Sequence, residues 1–317
     1  MTALLQARGL SKSFGNGVRA VDGIDLSIQA GQTLGIVGES GCGKSTTARL
    51  LLRLLKPDSG QIHFDGIDLA TARGRALRRI RADLQFVPQN PLMSLNPRMS
   101  VGDSVAFNMR AHGIDRASRT RRIGELMELV GLPGPFAGRF PHELSGGQLQ
   151  RIAIARALST NPKLVICDEA VSALDKSVQA QILNLLVDVQ RRLGVAYLFI
   201  SHDLAVVEHI SDRVAVMYLG RVIEESATSD LWINPLHPYT KALLSSTPGR
   251  ERRRIPLRGD PPSPVNMPSG CRFRTRCPQV VIACESFDPP LVPARGYPAQ
   301  SAACVHIKPT SIGTSAA

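Results

Sequence analysis

The sequence predicts an α/β protein in which helices cover both faces of a mostly parallel sheet. Residues 33–37 form an apolar run that leads into a glycine loop and then into a helical pattern at residues 46–52. Residues 164–169 form another apolar run, which ends in two acids. A helical segment at residues 178–186 leads to a further apolar strand at residues 196–201. A parallel sheet requires this alternation, because its strands are joined by helical crossovers.

The glycine loop fits the phosphate-binding pattern G-x-x-x-x-G-K-[ST] without a gap. Its glycines let successive backbone N–H groups curl around an anion, and the following helix points its positive dipole end at the same phosphates. Lys44 is predicted to reach the β- and γ-phosphates, and the Ser45 hydroxyl to hold Mg²⁺. The strand before the loop and the helix after it disfavour a chance glycine turn. The sequence therefore predicts a P-loop NTPase core of the RecA-like type. The residues of this loop predicted to bind nucleotide are Gly38, Glu39, Ser40, Gly41, Cys42, Gly43, Lys44, Ser45 and Thr46.

The two acids that end the strand at residues 164–169 predict a metal site and a general base. An acid at the carboxyl end of a parallel strand beside a phosphate loop is where Mg²⁺ is held, and Asp168 fits this role directly or through water. Glu169 is expected to point to the other face of the strand and to polarise the attacking water, an effect worth ~10²–10⁴-fold. Without the phosphate loop, the same pair would indicate only a strand end followed by a solvated acidic turn.

A second anion-binding surface is predicted at residues 144–148, where Ser145, Gly146, Gly147 and Gln148 open a helix. Ser145 is a good N-cap, and the two glycines expose backbone donors at the helix start. The alternative is an ordinary capped helix. One chain has little reason to carry two such surfaces unless they close on one nucleotide from different subunits.

With these three motifs in this order and spacing, the chain resembles the nucleotide-binding subunits of ATP-binding cassette (ABC) transporters. The resemblance implies that Phe14 stacks on adenine and that Gln89 senses Mg²⁺ and touches the transmembrane partner. It also implies that residues 172–175 cross the dimer interface and that His202 contacts the γ-phosphate. Each has a simpler alternative: a core phenylalanine, a solvated glutamine, a strand-end histidine. One departure is Pro88, where relatives usually carry an aromatic; proline fixes φ and removes a donor, which bears on the flexibility of the Gln89 loop.

The chain is predicted to divide into a nucleotide-binding domain at residues 1–230 and an extension at residues 231–317. Residues 1 to about 85 are expected to be strands and turns around the phosphate loop, including an antiparallel β subdomain. Residues 90–150 or so are expected to form a helical subdomain that presents the 144–148 motif. Proline is frequent in the extension, which predicts an irregular appendage. Within it, residues 234–244 and 270–278 resemble the oligopeptide/dipeptide branch of the family.

Four of the six cysteines crowd the extension, with the spacing C-x5-C-x6-C-x19-C at Cys271, Cys277, Cys284 and Cys304. Four clustered cysteines in a cytosolic chain favour a metal site over disulfides. Four thiolates can hold a 4Fe–4S cluster, which some members of the peptide branch carry. Zinc is the competing metal, although the short C-x2-C spacing of zinc ribbons is absent. The 4Fe–4S cluster is the working hypothesis, with zinc or free thiols as the alternatives.

The net charge of +12 and the isoelectric point of about 10.0 come mainly from arginine clusters at residues 73–81, 116–122 and 250–254. Such clusters can bind nucleic acid or acidic lipid headgroups, or they can be solvated helix faces. We favour solvated faces, because no aromatic residues interleave with the arginines for base stacking. No nucleic-acid partner is therefore expected, whereas proximity to an anionic membrane would suit the charge.

The bulk properties exclude several classes of protein. Hydrophobic residues are 43% of the 317 residues, enough for a sizeable core, so global disorder is excluded. No apolar run approaches the ~18 residues of a membrane-spanning helix. Residues 1–8 are too short and polar a stretch for a secretory signal. These properties predict a protein made and kept in the cytoplasm, and the resemblance implies that it is attached peripherally to the cytoplasmic side of the bacterial inner membrane.

The expected function is ATP hydrolysis that powers import of oligopeptides, dipeptides or a related solute such as nickel. The resemblance implies ATP and Mg²⁺ as ligands, two transmembrane permease subunits, and indirectly a periplasmic or lipoprotein solute-binding protein. Only one copy of each motif is present, so the second cassette must come from another chain, expected to be a sister chain in a heterodimer. The alternatives are a soluble cassette ATPase acting on nucleic acid or ribosomes, and an exporter cassette, which the His237-Pro238-Tyr239 segment disfavours.

Overall fold

The structure, a computed structural model, describes residues 3–247, 254–257 and 259–310. Residues 1 and 2 of the polar N-terminus and basic residues 250–253 lie outside the described residues. The strands are β1 (Leu5–Phe14), β2 (Val18–Ile28), β3 (Thr33–Val37), β4 (Ser59–Phe64), β5 (Ile67–Asp68), β6 (Leu84–Val87), β7 (Leu164–Asp168), β8 (Ala196–Ile200), β9 (Arg213–Tyr218), β10 (Arg221–Ala227), β11 (Val292–Ala294) and β12 (Tyr297–Ala302). The helices are α1 (Lys44–Leu51), α2 (Gly74–Asp83), α3 (Pro91–Ser94), α4 (Val101–Ala111), α5 (Arg116–Leu129), α6 (Gly146–Leu158), α7 (Lys176–Leu193), α8 (Leu204–Ile210), α9 (Thr228–Ile233), α10 (Pro238–Ser245) and α11 (Ala283–Ser286).

The described strands form two sheets, which confirms the α/β class. The larger sheet has the order β11-β12-β10-β9-β3-β8-β7-β6, and its central pairs, from β9 through β3, β8 and β7 to β6, are parallel. The smaller sheet, β2-β1-β4-β5, is antiparallel throughout. Between β6 and β7 the chain is helical from α3 to α6, with two 3₁₀ turns before α6.

The parallel strands are buried on both faces, as parallel sheets covered by helices require. In β8, Tyr197 and Phe199 pack into one apolar cluster, with the helices α4, α5, α6 and α7. Leu198 and Ile200 point the other way, into a second cluster with α1 and the smaller sheet. The side chains of β3, β7 and β8 are therefore held firmly from two sides, and so are the loops at their carboxyl ends.

Two of the arginine clusters lie on helices with few buried side chains, as solvated faces predict. In α2, Ile80 is the buried residue, and Arg79 forms ion pairs with Asp65 at 3.1 Å and Asp83 at 3.6 Å. In α5, the buried residues are Leu126 and Met127 near its end. Exposed ion pairs of this kind contribute about 0–1 kcal/mol each, so these arginines serve solubility and surface charge more than stability.

The extension is more closely joined to the core than an irregular appendage would be. Residues 301 and 302 of β12 pair with β10, so β11 and β12 continue the larger sheet at its edge. The wholly buried carboxylate of Glu224 in β10 accepts the backbone N–H groups of Leu236 and His237, at 2.7 and 2.8 Å. Burial raises the pKa of Glu224, against these hydrogen bonds, which lower it. The extension thus supplies strands and hydrogen bonds that the core domain would lack without it.

Candidate nucleotide site

The phosphate loop connects β3 to α1 and is shaped by close backbone approaches. Gly43, at the N-terminus of α1, has φ +108°, and a Cβ there would lie 2.1 Å from the carbonyl oxygen of Ala20 in β2. Gly38 has φ +153°, and a Cβ there would lie 2.2 Å from the carbonyl oxygen of Met217 in β9. Because no side chain fits at either position, glycine is required for the loop to curl around a ligand.

Lys44 is buried at the start of α1, and its ammonium group bridges the beginning of the loop. Its Nζ donates to the carbonyl oxygens of Gly38 at 2.8 Å and Glu39 at 2.9 Å. The cation therefore lies inside the loop, where the phosphates of a nucleotide would replace these carbonyls as partners. Cys42 of the same loop is also buried, which raises the pKa of its thiol and keeps it protonated.

Ser45 and Asp168 lie side by side, as the prediction of a magnesium site requires. The Ser45 hydroxyl donates to Oδ1 of Asp168 at 2.9 Å, and Asp168 closes β7 with its side chain almost fully buried. Burial raises the pKa of Asp168, the Ser45 hydrogen bond lowers it, and the charge of Glu169 raises it further. A bound cation would favour the ionised carboxylate, so this buried pair of oxygens fits Mg²⁺.

Glu169 lies just beyond β7, and its carboxylate contacts the other two residues predicted to be catalytic. Gln89 donates from Nε2 to Oε2 of Glu169 at 2.9 Å. His202 places Nδ1 at 3.4 Å from Oε1 of the same carboxylate. Gln89 follows β6, Glu169 follows β7 and His202 follows β8, so the three residues meet at the carboxyl edge of adjacent parallel strands.

From the sequence, strand alternation was expected to set the direction of the Glu169 side chain. In the structure, a left-handed backbone just beyond β7 sets it instead. Glu169 has φ +50°, in the left-handed region, and its N–H donates to the carbonyl of Ile200 at 2.9 Å. Its own carbonyl accepts the Ser172 hydroxyl at 3.0 Å. A non-glycine residue in this conformation costs about 1–3 kcal/mol, and such strain is typical of functional sites.

The motif at residues 144–148 forms the capped helix start that the sequence predicted. The Ser145 side chain accepts the N–H of Gln148, whose side chain in turn accepts the N–H of Ser145 at 2.9 Å. Gly146 and Gly147 pack beside Leu174 and Val178, at the turn into α7. A Cβ on Gly147 would lie 2.6 Å from Val178 Cγ1, so this position has no room for a side chain unless Val178 moves.

Phe14, which the resemblance implies to stack on adenine, is accessible at the end of β1. Phe14 ends β1 with 42% of its surface exposed, so it is not the core phenylalanine of the alternative interpretation. The Lys12 ammonium lies 6.0 Å from the centre of its ring.

Pro88 directly follows β6, and the short helix α3 begins two residues after Gln89, capped by Asn90. The loop that carries Gln89 is therefore short and fixed at both ends.

Comparison with known proteins agrees with this geometry. Residues 21–172 match the ABC transporter family, and residues 223–284 match the C-terminal region of oligopeptide/dipeptide transporters. A probable peptide ABC transporter ATP-binding protein of Sinorhizobium fredii, y4tS, is 50% identical over 94% of this chain and 87% of its own length. The chain belongs to the ABC transporter ATPases of the oligopeptide/dipeptide branch. The resemblance drawn from the sequence motifs is thereby confirmed.

Other relatives of this ABC ATPase give the same result. The oligopeptide transport ATP-binding protein AppF of Bacillus subtilis is 51% identical over 86% of this chain and 85% of its own length. Among solved structures, cbiO1 of Clostridium perfringens, part of an ABC transporter complex, aligns with a TM-score of 0.68 at 30% identity, over 74% of this chain and 92% of that one. A cassette solved as a dimer with ADP and phosphate, MJ0796, aligns at 0.63 and 29% identity, over 71% and 98%.

The structure also brings two residues of the extension to the phosphate loop, and sequence analysis missed both. Tyr239 accepts the backbone N–H of Glu39 at 3.0 Å through its hydroxyl oxygen. Arg276 donates to both carboxylate oxygens of Glu39, at 3.1 and 2.9 Å. The motifs that contain Tyr239 and Arg276 were identified from the resemblance to the peptide branch, but nothing in their sequence indicates a contact with the loop.

The four cysteines of the extension lie near one another as thiols. The N–H of Cys271 donates to the carbonyl of Cys284 at 2.9 Å. Burial raises the pKa of Cys271, Cys277 and Cys304, and the charges of neighbouring cysteines raise each further. Within the described ranges, however, no group of three or more His, Cys, Asp or Glu residues is arranged to hold a metal ion. Neither the structure nor the comparisons support the expected iron–sulfur cluster.

None of the helices in the described part of the chain combines the length and the apolar composition that a transmembrane span needs. An ABC importer ATPase acts on the membrane through permease subunits, so its attachment depends on a surface that binds them.

Proposed function

We propose that this chain hydrolyses ATP as one half of a cassette pair and thereby drives import of oligopeptides or dipeptides across the bacterial inner membrane. The observation that carries the proposal is the Glu169 carboxylate, held by Gln89 and His202 at the strand edge that also carries Asp168. Relatives named as peptide import ATP-binding proteins support the solute class. A related solute such as nickel is the alternative, since the cassette does not touch the solute.

In this proposal, each residue of the site has a separate task. The loop at residues 38–46 binds the phosphates through its backbone N–H groups and Lys44, while the exposed Phe14 ring stacks on adenine. Ser45 and Asp168, with Gln89, would hold Mg²⁺, which neutralises developing charge on the phosphates. Glu169 takes the proton of the attacking water, and His202 contacts the γ-phosphate.

The motif at residues 144–148 completes the site of a partner cassette. Its helix start offers backbone donors and a positive dipole end to the γ-phosphate bound by the other chain. ATP then stabilises the closed pair because it contacts both chains, and hydrolysis removes this stabilisation. The related cassette MJ0796, solved as a dimer with ADP and phosphate, supports such a pair. We propose that the partner is a sister chain, which makes the pair a heterodimer.

A groove beside the Gln89 loop is the proposed docking surface for the two permease subunits. It has a volume of about 680 Å³ and lies between the end of α1, α2 and the helices α3 and α4. Phe107 and Leu54 line it with 57% and 65% of their surfaces exposed, and Met93 in α3 is 84% exposed. Large exposed apolar side chains around a groove mark a protein-binding surface. The cassette is then peripheral, on the cytoplasmic face, and reaches a solute-binding protein only through the permease.

Changing this surface is expected to uncouple the ATPase from its membrane partners. In a Met93→Glu/Phe107→Glu variant, buried carboxylates would be unpaired at the interface, so co-purification of the permease subunits should fall at least tenfold. ATP hydrolysis by the cassette pair without the permease should stay within about twofold of wild type. Leu193→Glu, at the exposed end of α7 away from the groove, is the matched control. Nucleic acid or ribosomes in place of permease subunits on the wild-type protein would contradict the transporter assignment in favour of a soluble ATPase.

The 4Fe–4S cluster at Cys271, Cys277, Cys284 and Cys304 stays a hypothesis. It rests on the spacing of the four cysteines and on the resemblance to the peptide branch, because four thiolates can hold such a cluster. The chain purified without oxygen should then contain about four iron and four sulfide per protein, and Cys277→Ser should lose them. Zinc without iron, or no metal at all, would contradict the cluster.

A further inference from the structure

We propose that Arg276 and Tyr239 are positioning residues for the phosphate loop, so that the C-terminal extension sets the affinity of the cassette for ATP. This inference rests on the proposed binding of ATP at residues 38–46. It goes further by assigning control of that binding to a segment more than 190 residues away, which neither the family matches nor the relatives' names assign. The contacts that carry it are those of Glu39.

Glu39 brings a carboxylate into a loop that receives polyphosphate. Its backbone is part of that loop, so an unpaired negative charge on its side chain would repel the phosphates of ATP at short range. Arg276 contacts both carboxylate oxygens, at 3.1 and 2.9 Å, with its own side chain 6% exposed. A hydrogen-bonded ion pair at a partly buried site is screened less than a surface pair, so Arg276 neutralises Glu39 where the repulsion would act.

The guanidinium is held in a charged and fixed state. Burial alone would lower the pKa of Arg276, but its bonds to Glu39 and to the Tyr218 hydroxyl raise the pKa above its usual range. Its charge centre lies 6.0 Å from the centre of the Tyr218 ring. Four residues earlier, Arg272 donates to the carbonyl of Leu219 and pairs with Asp22 in β2. The segment between Cys271 and Cys277 is therefore anchored to the core at two arginines.

Tyr239 fixes the backbone of the loop at the same residue. Its hydroxyl accepts the Glu39 N–H, and its ring packs on Tyr218, with ring centres 4.7 Å apart, and on Phe273, at 5.4 Å. His237 holds the start of α10 by accepting the Tyr239 N–H on Nδ1 at 3.0 Å. Burial lowers the pKa of His237 to about 3, so Nδ1 stays an acceptor across the physiological range. Side chain and backbone of Glu39 are thus both fixed by the extension.

The position of Glu39 matters for ATP binding through Lys44. The Lys44 ammonium donates to the carbonyl oxygens of Gly38 and Glu39, so a shift of Glu39 moves the partners of the cation that receives the phosphates. The groups that act on water, Glu169, Gln89 and His202, make no described contact with Arg276. Loss of Arg276 should therefore weaken ATP binding much more than the chemical step.

The test compares ATP binding by variants of the full-length chain, and turnover by the same variants assembled with the partner cassette. Arg276→Ala is expected to raise the KM and Kd for ATP by about tenfold to hundredfold, the usual range for charge-assisted hydrogen bonds, with kcat within about threefold. Arg276→Lys should recover part of the affinity, since it restores the positive charge without the planar guanidinium that contacts Glu39 and Tyr218. Arg274→Ala is the matched control, because Arg274 lies in the same segment and bonds only Ser269 in the described contacts; it should match wild type.

A double variant separates charge neutralisation from simple structural support. If Arg276 acts by neutralising Glu39, then Glu39→Gln combined with Arg276→Ala should bind ATP at least fivefold more tightly than Arg276→Ala alone. A merely structural contact predicts the opposite, equal or weaker binding in the double variant. Tyr239→Phe should raise the KM for ATP by severalfold with little change in kcat.

Two results would overturn the inference: a KM for Arg276→Ala within twofold of wild type, or no recovery of affinity in the double variant. If Arg276→Ala does not fold, Arg276→Lys and the double variant still decide, because both keep the site filled or electrically neutral. Failure of the wild-type chain to bind ATP would instead contradict the proposed function. The two failures are therefore distinguishable.

Discussion

Glu169→Gln is expected to reduce ATP turnover by ~10²–10⁴-fold while ATP binding is retained, because the variant loses a proton acceptor and little else. The amide has nearly the shape of the carboxylate, so Gln89 and His202 keep their positions around it. With hydrolysis blocked, the ATP-bound pair cannot return to the open state. The variant should therefore accumulate as a closed dimer in ATP and Mg²⁺, together with its partner cassette, measured by phosphate release and by sedimentation.

The control for this experiment is an acid that the site does not use. Glu128 in α5 is exposed, so Glu128→Gln changes the net charge equally and should leave turnover unchanged. Wild-type turnover in Glu169→Gln would remove Glu169 from the role of general base. It would then leave its contacts with Gln89 and His202 as a structural link between the strand ends.

Gly43→Ala is expected to abolish measurable ATP binding. A single added methyl group would thus have an effect as large as the loss of turnover in Glu169→Gln. Its Cβ would lie 2.1 Å from the Ala20 carbonyl, a distance at which backbone must move, and φ +108° is strained for alanine. The displaced loop would turn its N–H groups away from the phosphates. Nucleotide binding can be measured by fluorescence or calorimetry, with circular dichroism to verify that the sheet is intact.

Gly41→Ala in the same loop distinguishes close approach from backbone conformation. Gly41 has φ +78°, which also disfavours alanine, but no atom lies within 4 Å of the Cβ it would acquire. This variant should therefore lose stability by about 1 kcal/mol and retain most of its ATP affinity. Equal loss of binding in both variants would show that the conformation, and not contact with Ala20, limits the loop.

Sequence analysis predicted the parts of the site that are formed by residues adjacent in the chain. The phosphate loop, the capped start of α6 and the two acids at the end of β7 are local motifs, and each lies at the expected strand or helix end. The resemblance gave Gln89 and His202 separate roles at the ATP site, and the structure brings both to Glu169 because the three residues follow adjacent strands of one parallel sheet. The left-handed backbone of Glu169 was not foreseen, because a hydrogen bond to Ile200 on the next strand imposes it.

The C-terminal extension shows why contacts between distant parts of the chain could not be predicted from the sequence. Its proline-rich composition indicated an irregular segment, yet β12 pairs with β10 because an unpaired edge of the core sheet is available to it. Likewise, Arg276 contacts the Glu39 carboxylate because the folded chain brings the two residues together, and no pattern in the sequence indicates this pair. Such contacts come from tertiary structure alone, whereas the motifs come from local chemistry.

The ion pair between Glu39 and Arg276 also has a consequence for the order of events on the ribosome. Its two residues are 237 positions apart in the chain, so the loop is synthesised long before the residue that neutralises it. At ~5–20 residues per second, that interval is on the order of 10–50 s. During this time the nascent cassette has its phosphate loop but not the arginine that pairs with Glu39. We therefore expect it to acquire full ATP affinity, and with it a closed pair, only after the segment that carries Arg276 has been synthesised.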